Sequence, residues 1–367
     1  MNANLDLNSH LVRVSRSFAF CIARLEAPLH RQVGLSYLIC RILDSVEDAQ
    51  WIDRSGQAQA FEEFISFLHL DSSSDSPIDS PIGIKTVEAW SQRVIAGTKL
   101  PDHEILLLED AGLVFRELWN ERPRVREAMV RPIESMARGM MEYSGIQAEM
   151  AVPSTSLAIK LKNLGDVNRY CFFVAGVVGE ILNGLLKLVA EDRGVRVATS
   201  LVEGFRFGLF LQKVNLLKDR ETDLQEGRDL VPSKFLVFQS AFQDARKAFS
   251  YLSSIPLIFE SYRLFCGWSL FLGLASLPHI ASGRKIGRLE TLALLASVES
   301  RVNSNLDLEA LFEKYLDQAL GSVDSESEEG APTRAEATTS SIEDYRRNYV
   351  GVANDQELRE LVEGRLS

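Results

Sequence analysis

The stretch Val33–Ala49, VGLSYLICRILDSVEDA, decides how this chain is read. Apolar residues recur in it at three- and four-residue spacing, the period of a helix with a buried face. Within it Tyr37, Arg41, Asp44 and Asp48 follow one another in steps of four, three and four. They therefore share one helical stripe. Glu47 adds a third carboxylate to the same turn. The flanking residues, Leu38, Ile39, Cys40, Ile42 and Leu43, are those of a buried segment. Burying several carboxylates without a cation is expensive. The spacing leaves two readings open: an ordinary charged face, or a face that holds a metal.

A second stretch repeats the design. Gln212, Asn215, Asp219 and Asp223 rise in steps of three, four and four behind the apolar run Gly208–Leu211. Basic residues accompany both clusters: Arg41 in the first, and Lys218 just ahead of Asp219. Gly227 then makes a turn that brings Arg228 toward the same place. Two such faces turned toward each other would hold hard divalent cations, and those cations would hold a diphosphate. Two clusters of one design shift the balance toward a metal site with diphosphate as leaving group.

The bulk numbers agree with an enzyme of small molecules. The chain has 367 residues, 46% of them apolar and 25% charged, with a net charge of −11. Such an acidic balance argues against a nucleic-acid partner. The cysteines, Cys21, Cys40, Cys171 and Cys266, lie far apart in apolar runs, without zinc-ligand spacing, and read as reduced core thiols. The first ten residues carry no signal-peptide pattern, and the chain closes without an apolar anchor. The uncharged run Leu264–Gly283 approaches membrane-span length, but it reads better as a core helix. A cytoplasmic protein, peripheral at a membrane at most, is expected.

Most of the chain is expected to be helical: Val33–Ala49, Thr86–Ile95, His103–Leu118, Val125–Tyr143, Leu161–Leu188 and Ala198–Lys218. No convincing hairpin signal is present. The predicted fold is all-α, a single large helical domain over residues 1–320 around a central active-site cavity. Asp71–Gly83 reads as a polar loop. Residues 321–341 read as a Ser/Glu-rich disordered linker and residues 342–367 as a charged tail. Five methionines crowd between Met129 and Met150, which suits adaptable packing, and Met136 and Met140 are candidates for lining a prenyl tunnel.

Four segments carry a resemblance. They are Val14–Phe18 (VSRSF), Tyr37–Asp48 (YLICRILDSVED), Tyr170–Gly179 (YCFFVAGVVG) and Gly208–Asn215 (GLFLQKVN). In order and spacing they resemble the squalene/phytoene synthase family of head-to-head prenyl synthases, over about residues 10 to 320. The Asp44–Asp48 form, the Tyr170–Gly179 string and Phe265-Cys266 are most similar to the squalene synthase branch, in a bacterial type without an anchor.

That resemblance implies an isoprenoid-synthase-type fold and a two-step reaction. Two farnesyl diphosphates would condense to presqualene diphosphate with Mg2+, and NADPH would then reduce this to squalene. It assigns Mg2+ to Asp44, Glu47, Asp48, Asp219 and Asp223. Diphosphate contacts fall to Ser15, Arg16, Ser17, Arg41, Gln212, Asn215, Lys218 and Arg228. Tyr37, Tyr170 and Phe265 become the catalytic aromatic residues, and Arg284, Lys285 and Arg288 the cofactor-phosphate contacts. The protein is expected to act as a monomer. Two departures stand out: Thr222 occupies a position where the family carries an acid, and Lys218 replaces an arginine fork. The altered second cluster keeps open an inactive helical paralogue that binds lipid or a partner. The basic loop Arg284–Arg288, which looks shortened, keeps open a non-reductive relative (dehydrosqualene, phytoene, hydroxysqualene or presqualene diphosphate synthase).

Overall fold

A computed structural model describes residues 5–52, 54–70, 81–144 and 159–324; the side chains of Arg16 and Ser17 fall outside that description. So do residues 71–80 of the expected polar loop, Met150, and all of the expected linker and tail beyond residue 324. The chain forms two compact units: Met1–Ser154 with Glu180–Arg196, and Thr155–Gly179 with Val197–Ser367. The all-α expectation is met. The described strands are two-residue pairs only.

The first unit runs through α1 (Leu7–Val14), α2 (Arg16–Ile22), α3 (Leu29–Asp48), β1 (Gln50–Trp51), α4 (Arg54–Leu68), α5 (Pro81–Gly97), β2 (Thr98–Lys99), α6 (Asp102–Glu109), α7 (Ala111–Trp119) and α8 (Pro123–Tyr143). Helix α5 begins at Pro81, two residues before the expected loop ends. Proline suits a first helical turn, where its missing N–H costs nothing. The expected single helix over His103–Leu118 is broken at Asp110, whose backbone leaves helical geometry. Its carboxylate lies 2.9 Å from Nε2 of the buried His10.

Phe64, Phe67, Trp90 and Phe115 form the centre of this unit, with ring centroids 5.4 to 6.2 Å apart. The indoles spend their polar edges on backbone: Trp90 donates to the Ala60 carbonyl and Trp119 to that of Phe67. Met129, Met136 and Met140 are buried in α8 as ordinary core. Helix α3 is buried on most of its circumference. Its last carbonyls, which a helix cannot satisfy itself, are met from outside. Trp51 Nε1 and Gln57 Nε2 donate to the Val46 carbonyl at 2.8 and 2.9 Å, and Gln57 also reaches that of Glu47. The acidic end of α3 is thereby held in place.

The second unit contains β3 (Ile159–Lys160), α9 (Leu164–Cys171), a π-helical turn (Phe172–Gly176) and the first turn of α10 (Val177–Asp192), which then continues into the first unit. It goes on with α11 (Leu201–Gln225), β4 (Arg228–Asp229), α12 (Lys234–Ser254), a short 3-10 turn, α13 (Glu260–Ala281), α14 (Arg288–Glu299) and α15 (Asn305–Asp324). The expected helix over Leu161–Leu188 starts late, because Asn163 caps it by accepting from the Asp166 N–H. Asp166 accepts in return from the Lys162 N–H. The π turn then adds a residue to the helical ladder, a feature often found at functional sites.

That turn and α10 meet α11 through glycines. A Cβ on Gly179 would fall 2.0 Å from the Gly204 carbonyl oxygen, and one on Gly208 would fall 2.3 Å from that of Ala175. The glycines of the Tyr170–Gly179 and Gly208–Asn215 strings therefore serve a backbone-to-backbone helix crossing. On its other side α11 is fastened to α12 by a fully buried ionic group. Asp244 takes Arg206 at 3.0 Å and also Lys213, whose ammonium donates to Ser240 Oγ at 2.6 Å.

Helix α13 is the core of this unit, with Leu264 through Leu277 largely buried. Two helical stretches, Leu164–Asp192 and Leu257–Ala281, are long and apolar enough to cross a membrane; 67% of the second window is buried inside the protein, as a core helix would be. Arg263, also fully buried, donates to the carbonyls of Leu252, Ile255 and Val302 and to Asn305 Oδ1. It clasps the end of α12 to the turn between α14 and α15. Cys21, Cys171 and Cys266 are buried and Cys40 is half-buried, and none of the four is in a disulfide.

Candidate active site

In the first unit Asp44, Glu47 and Asp48 occupy the last turn and a half of α3, with no basic residue in that last turn. Negative charge at a helix C-terminus opposes the helix dipole. Burial, followed by the repulsion of Asp48, pushes the Asp44 carboxyl up to about 6, although the Arg41 guanidinium beside it pulls the other way. Arg41 donates to Asp44 at 2.9 Å and to Glu104 of α6 at 2.8 Å. Burial works against its charge, yet Asp44, Tyr37, Glu104 and Asp48 together hold it firmly protonated.

Tyr37 lies one turn before Arg41 on the same stripe. Its ring is 5.8 Å from that of Phe18. Burial pushes its phenol up, against a hydrogen bond with Ser15 and the charge of Arg41, so it stays protonated. Ser15 also caps α2 by accepting from the Phe18 N–H at 3.2 Å. Ser15 and Phe18 thus join the Val14–Phe18 segment to the α3 stripe.

In the second unit α11 carries the other cluster. Asp223 is buried and pairs with Arg228 at 2.8 Å. Gly227, at φ 82°, supplies the left-handed turn that swings Arg228 back over α11. Arg228 then lies in β4, whose partner strand is β3. Asp219 is half-exposed and pairs with Lys218 at 3.1 Å, while Asn215 Oδ1 accepts from Lys218 at 3.4 Å. Gln212 is half-buried one turn earlier. Tyr170 is buried at the end of α9. Phe265 is buried in α13 with its ring 6.0 Å from that of Tyr262. Arg284, Lys285 and Arg288 are all exposed, and Arg284 Nε donates to Ser282 Oγ two residues away.

The fit to a divalent cation differs between the clusters. Among the described residues no group of three or more acidic, histidine or cysteine side chains stands close enough to hold an ion unaided. Mg2+ does not need one, since it binds through one or two carboxylates, waters and phosphate oxygens. The α3 end suits it: a half-buried carboxylate, raised in pKa, stands beside Asp48, where added positive charge relieves it. The α11 carboxylates are already paired with cations, so a metal there would share them with Lys218 and Arg228. For a dinucleotide, the exposed basic loop offers charge to a phosphate and nothing further.

Two residues that sequence reasoning did not single out belong here. Glu104 holds the far side of Arg41; in sequence it is one acid in the first turn of a helix, and nothing local marks it. Lys213 sits within the Gly208–Asn215 string but points into the protein. A lysine within the largely apolar stretch Gly208–Leu217 was its only signal.

The all-helical architecture and the acidic, cation-flanked ends of α3 and α11 define an isoprenoid-synthase-type fold. Residues 11–244 match the squalene/phytoene synthase family, and the chain belongs to it. Squalene synthase of Eremothecium gossypii is 30% identical over 226 residues, 61% of this chain and 45% of that protein. Squalene synthase of Saccharomyces cerevisiae is 29% identical over 221 residues, 60% of this chain and 43% of that protein. The matches thus span less than half the length of these relatives. Among solved structures, a ligand complex of TcSQS superposes with a TM-score of 0.63 at 22% identity, covering 87% of this chain and 97% of that one. A dehydrosqualene synthase complex superposes with 0.52 at 18%, covering 81% and 95%.

Proposed function

We propose that this protein is a Mg2+-dependent prenyltransferase that condenses two farnesyl diphosphates head to head through presqualene diphosphate and, with NADPH, forms squalene. The observation that carries the reading is the acidic end of α3: carboxylates gathered against a helix dipole, Asp44 half-buried among them, with Arg41 beside it. Asp44, Glu47 and Asp48, with Asp219 and Asp223, are the proposed metal ligands; bound Mg2+ neutralises the departing diphosphate. Arg41, kept in place by Glu104, donates to diphosphate oxygens. Ser15, Arg16, Ser17, Gln212, Asn215, Lys218 and Arg228 add further contacts. The protonated Tyr37 donates to an oxygen of the leaving group, Tyr170 orients the substrate, and Phe265 offers an aromatic face to cationic carbon. NADPH supplies the hydride of the second step, its phosphates read by Arg284, Lys285 and Arg288. The site of action is the cytoplasmic face of a membrane.

A second reading has its own observation. Because the basic loop is wholly exposed and presents only charge, the non-reductive alternatives remain in competition. Product analysis with purified protein, farnesyl diphosphate and Mg2+, with and without NADPH, decides. Squalene formed only with NADPH supports the first reading. Presqualene diphosphate or a dehydrogenated product in both reactions moves the protein to the non-reductive branch. Intact substrate in both, after longer prenyl diphosphates are tried, overturns both readings.

A further inference from the structure

Helix α14 is apolar on two opposite sides, and the inner side suffices to seat it. Leu294, Leu295 and Val298 are buried, and Trp268 of α13 donates its indole N–H to the Leu295 carbonyl at 3.0 Å. The outer side carries Leu289, Leu292, Ala293 and Ala296, all exposed. Their spacing of three, one and three makes a single continuous stripe. Leu289 is 84% and Leu292 52% exposed, among the most exposed large apolar side chains described. At the N-terminal end of this stripe stand the exposed cations Arg284, Lys285 and Arg288. The facing acid, Glu290, is engaged by His279 at 3.0 Å; Glu299 lies at the far end of the helix. In a chain of net charge −11, three exposed cations within five residues run against the general sign.

We propose that α14 and the loop before it form a docking surface for an anionic lipid bilayer. An apolar stripe bordered by lysine and arginine is what an in-plane interfacial helix presents to headgroups and acyl chains. The helix's positive N-terminal end adds to the attraction. Charge complementarity selects the lipid: acidic headgroups meet the loop, while repulsion keeps the remaining acidic surface off the membrane. The leucines enter the headgroup boundary and the basic loop lies over the phosphates. The three cations are those the proposed function gives to a dinucleotide phosphate, so the two uses of the loop compete; the leucine stripe belongs to docking alone.

The test is sedimentation of the full chain with liposomes, without substrate. One set is phosphatidylcholine alone and the other contains about a third phosphatidylglycerol. The wild type is expected to bind the anionic vesicles and to leave the neutral ones in solution. Each lost basic charge should weaken partitioning about fivefold, so R284Q/K285Q/R288Q together should weaken it about a hundredfold. L289S/L292S should weaken it at least tenfold while leaving thermal unfolding unchanged, because both side chains are already in water. Raising the salt to about 1 M, where the screening length falls to about 3 Å, should release the wild type. Equal binding to neutral vesicles, no binding to anionic ones, or binding unmoved by both variants would overturn the proposal. So would a wild-type dimer that L289S/L292S converts to monomer, which would make the stripe a protein interface. L289S/L292S leaves the three cations in place, so its loss of vesicle binding with activity on soluble substrate retained separates docking from the enzymatic reading.

Discussion

Asp44 makes the metal-free protein less stable than it need be at neutral pH. Its pKa in the folded chain is about 6, above the unfolded 3.8. The folded state therefore binds the extra proton between those values, and stability falls as pH rises through that window. Above pH 6 the whole penalty is present; below about 4 it is gone. Asp44→Asn removes the charge, and with about two pKa units at stake it should stabilise the metal-free protein by roughly 1–3 kcal/mol at pH 7.5. Urea unfolding in excess chelator checks this, and the gain should vanish near pH 4. The same substitution should lower turnover at least a hundredfold, so stability and activity move in opposite directions. A variant that loses both would have served only to hold Arg41. The stripe that holds Asp44 was legible in sequence from its four-three-four spacing. Glu104 was not, because its meeting with Arg41 depends on α6 reaching α3, and no local pattern encodes that approach.

At the level of helices, the Tyr170–Gly179 and Gly208–Asn215 strings act chiefly as packing surfaces. Gly179→Ala and Gly208→Ala each place a methyl carbon inside the contact distance of a backbone oxygen. A backbone cannot rotate aside as a side chain does, so each should cost about 2–4 kcal/mol, at or above the usual overpacking range. Chemical denaturation of each variant measures the cost, and values below about 1 kcal/mol would show that the crossing is looser than described. Asp244→Ala leaves Arg206 and Lys213 without their shared counter-ion and should cost about 3–5 kcal/mol. Asp244→Asn should recover part of that loss by restoring an acceptor. Helix existence was readable from periodicity throughout, but helix ends were not. Asp110 breaks one expected helix without glycine or proline, and Asn163 delays another through a cap whose pattern is visible only once the start is known. The π turn left no trace, since an inserted residue in an apolar run preserves the look of the run.

For the molecule as a whole, the two membrane-length apolar stretches and the docking stripe lead to different expectations. Leu257–Ala281 is spent on the core of its unit, around Trp268 and Arg263, and is not available to lipid. Association with membranes should therefore be of the peripheral kind. Protein recovered on anionic membranes should come off with high salt or alkaline carbonate and no detergent, whereas release only by detergent would mean that one of these stretches is embedded. The class of fold was legible because helical strings leave a periodic signature; the family was legible only as a resemblance carried by four short segments. The division into two units was not, since a helix such as α10 that serves both looks like any other.

The clasp made by Arg263 bears on what happens when the backbone is cut. Arg284, Lys285 and Arg288 offer trypsin an exposed loop between α13 and α14. A nick there separates the chain covalently into a long and a short piece. Yet α14 stays fastened by the Trp268 indole, and the turn beyond it by two hydrogen bonds, to Val302 and Asn305, from a guanidinium that belongs to the longer piece. The fragments should part on a denaturing gel and migrate together on a native one, so the protein would outlive the integrity of its own chain.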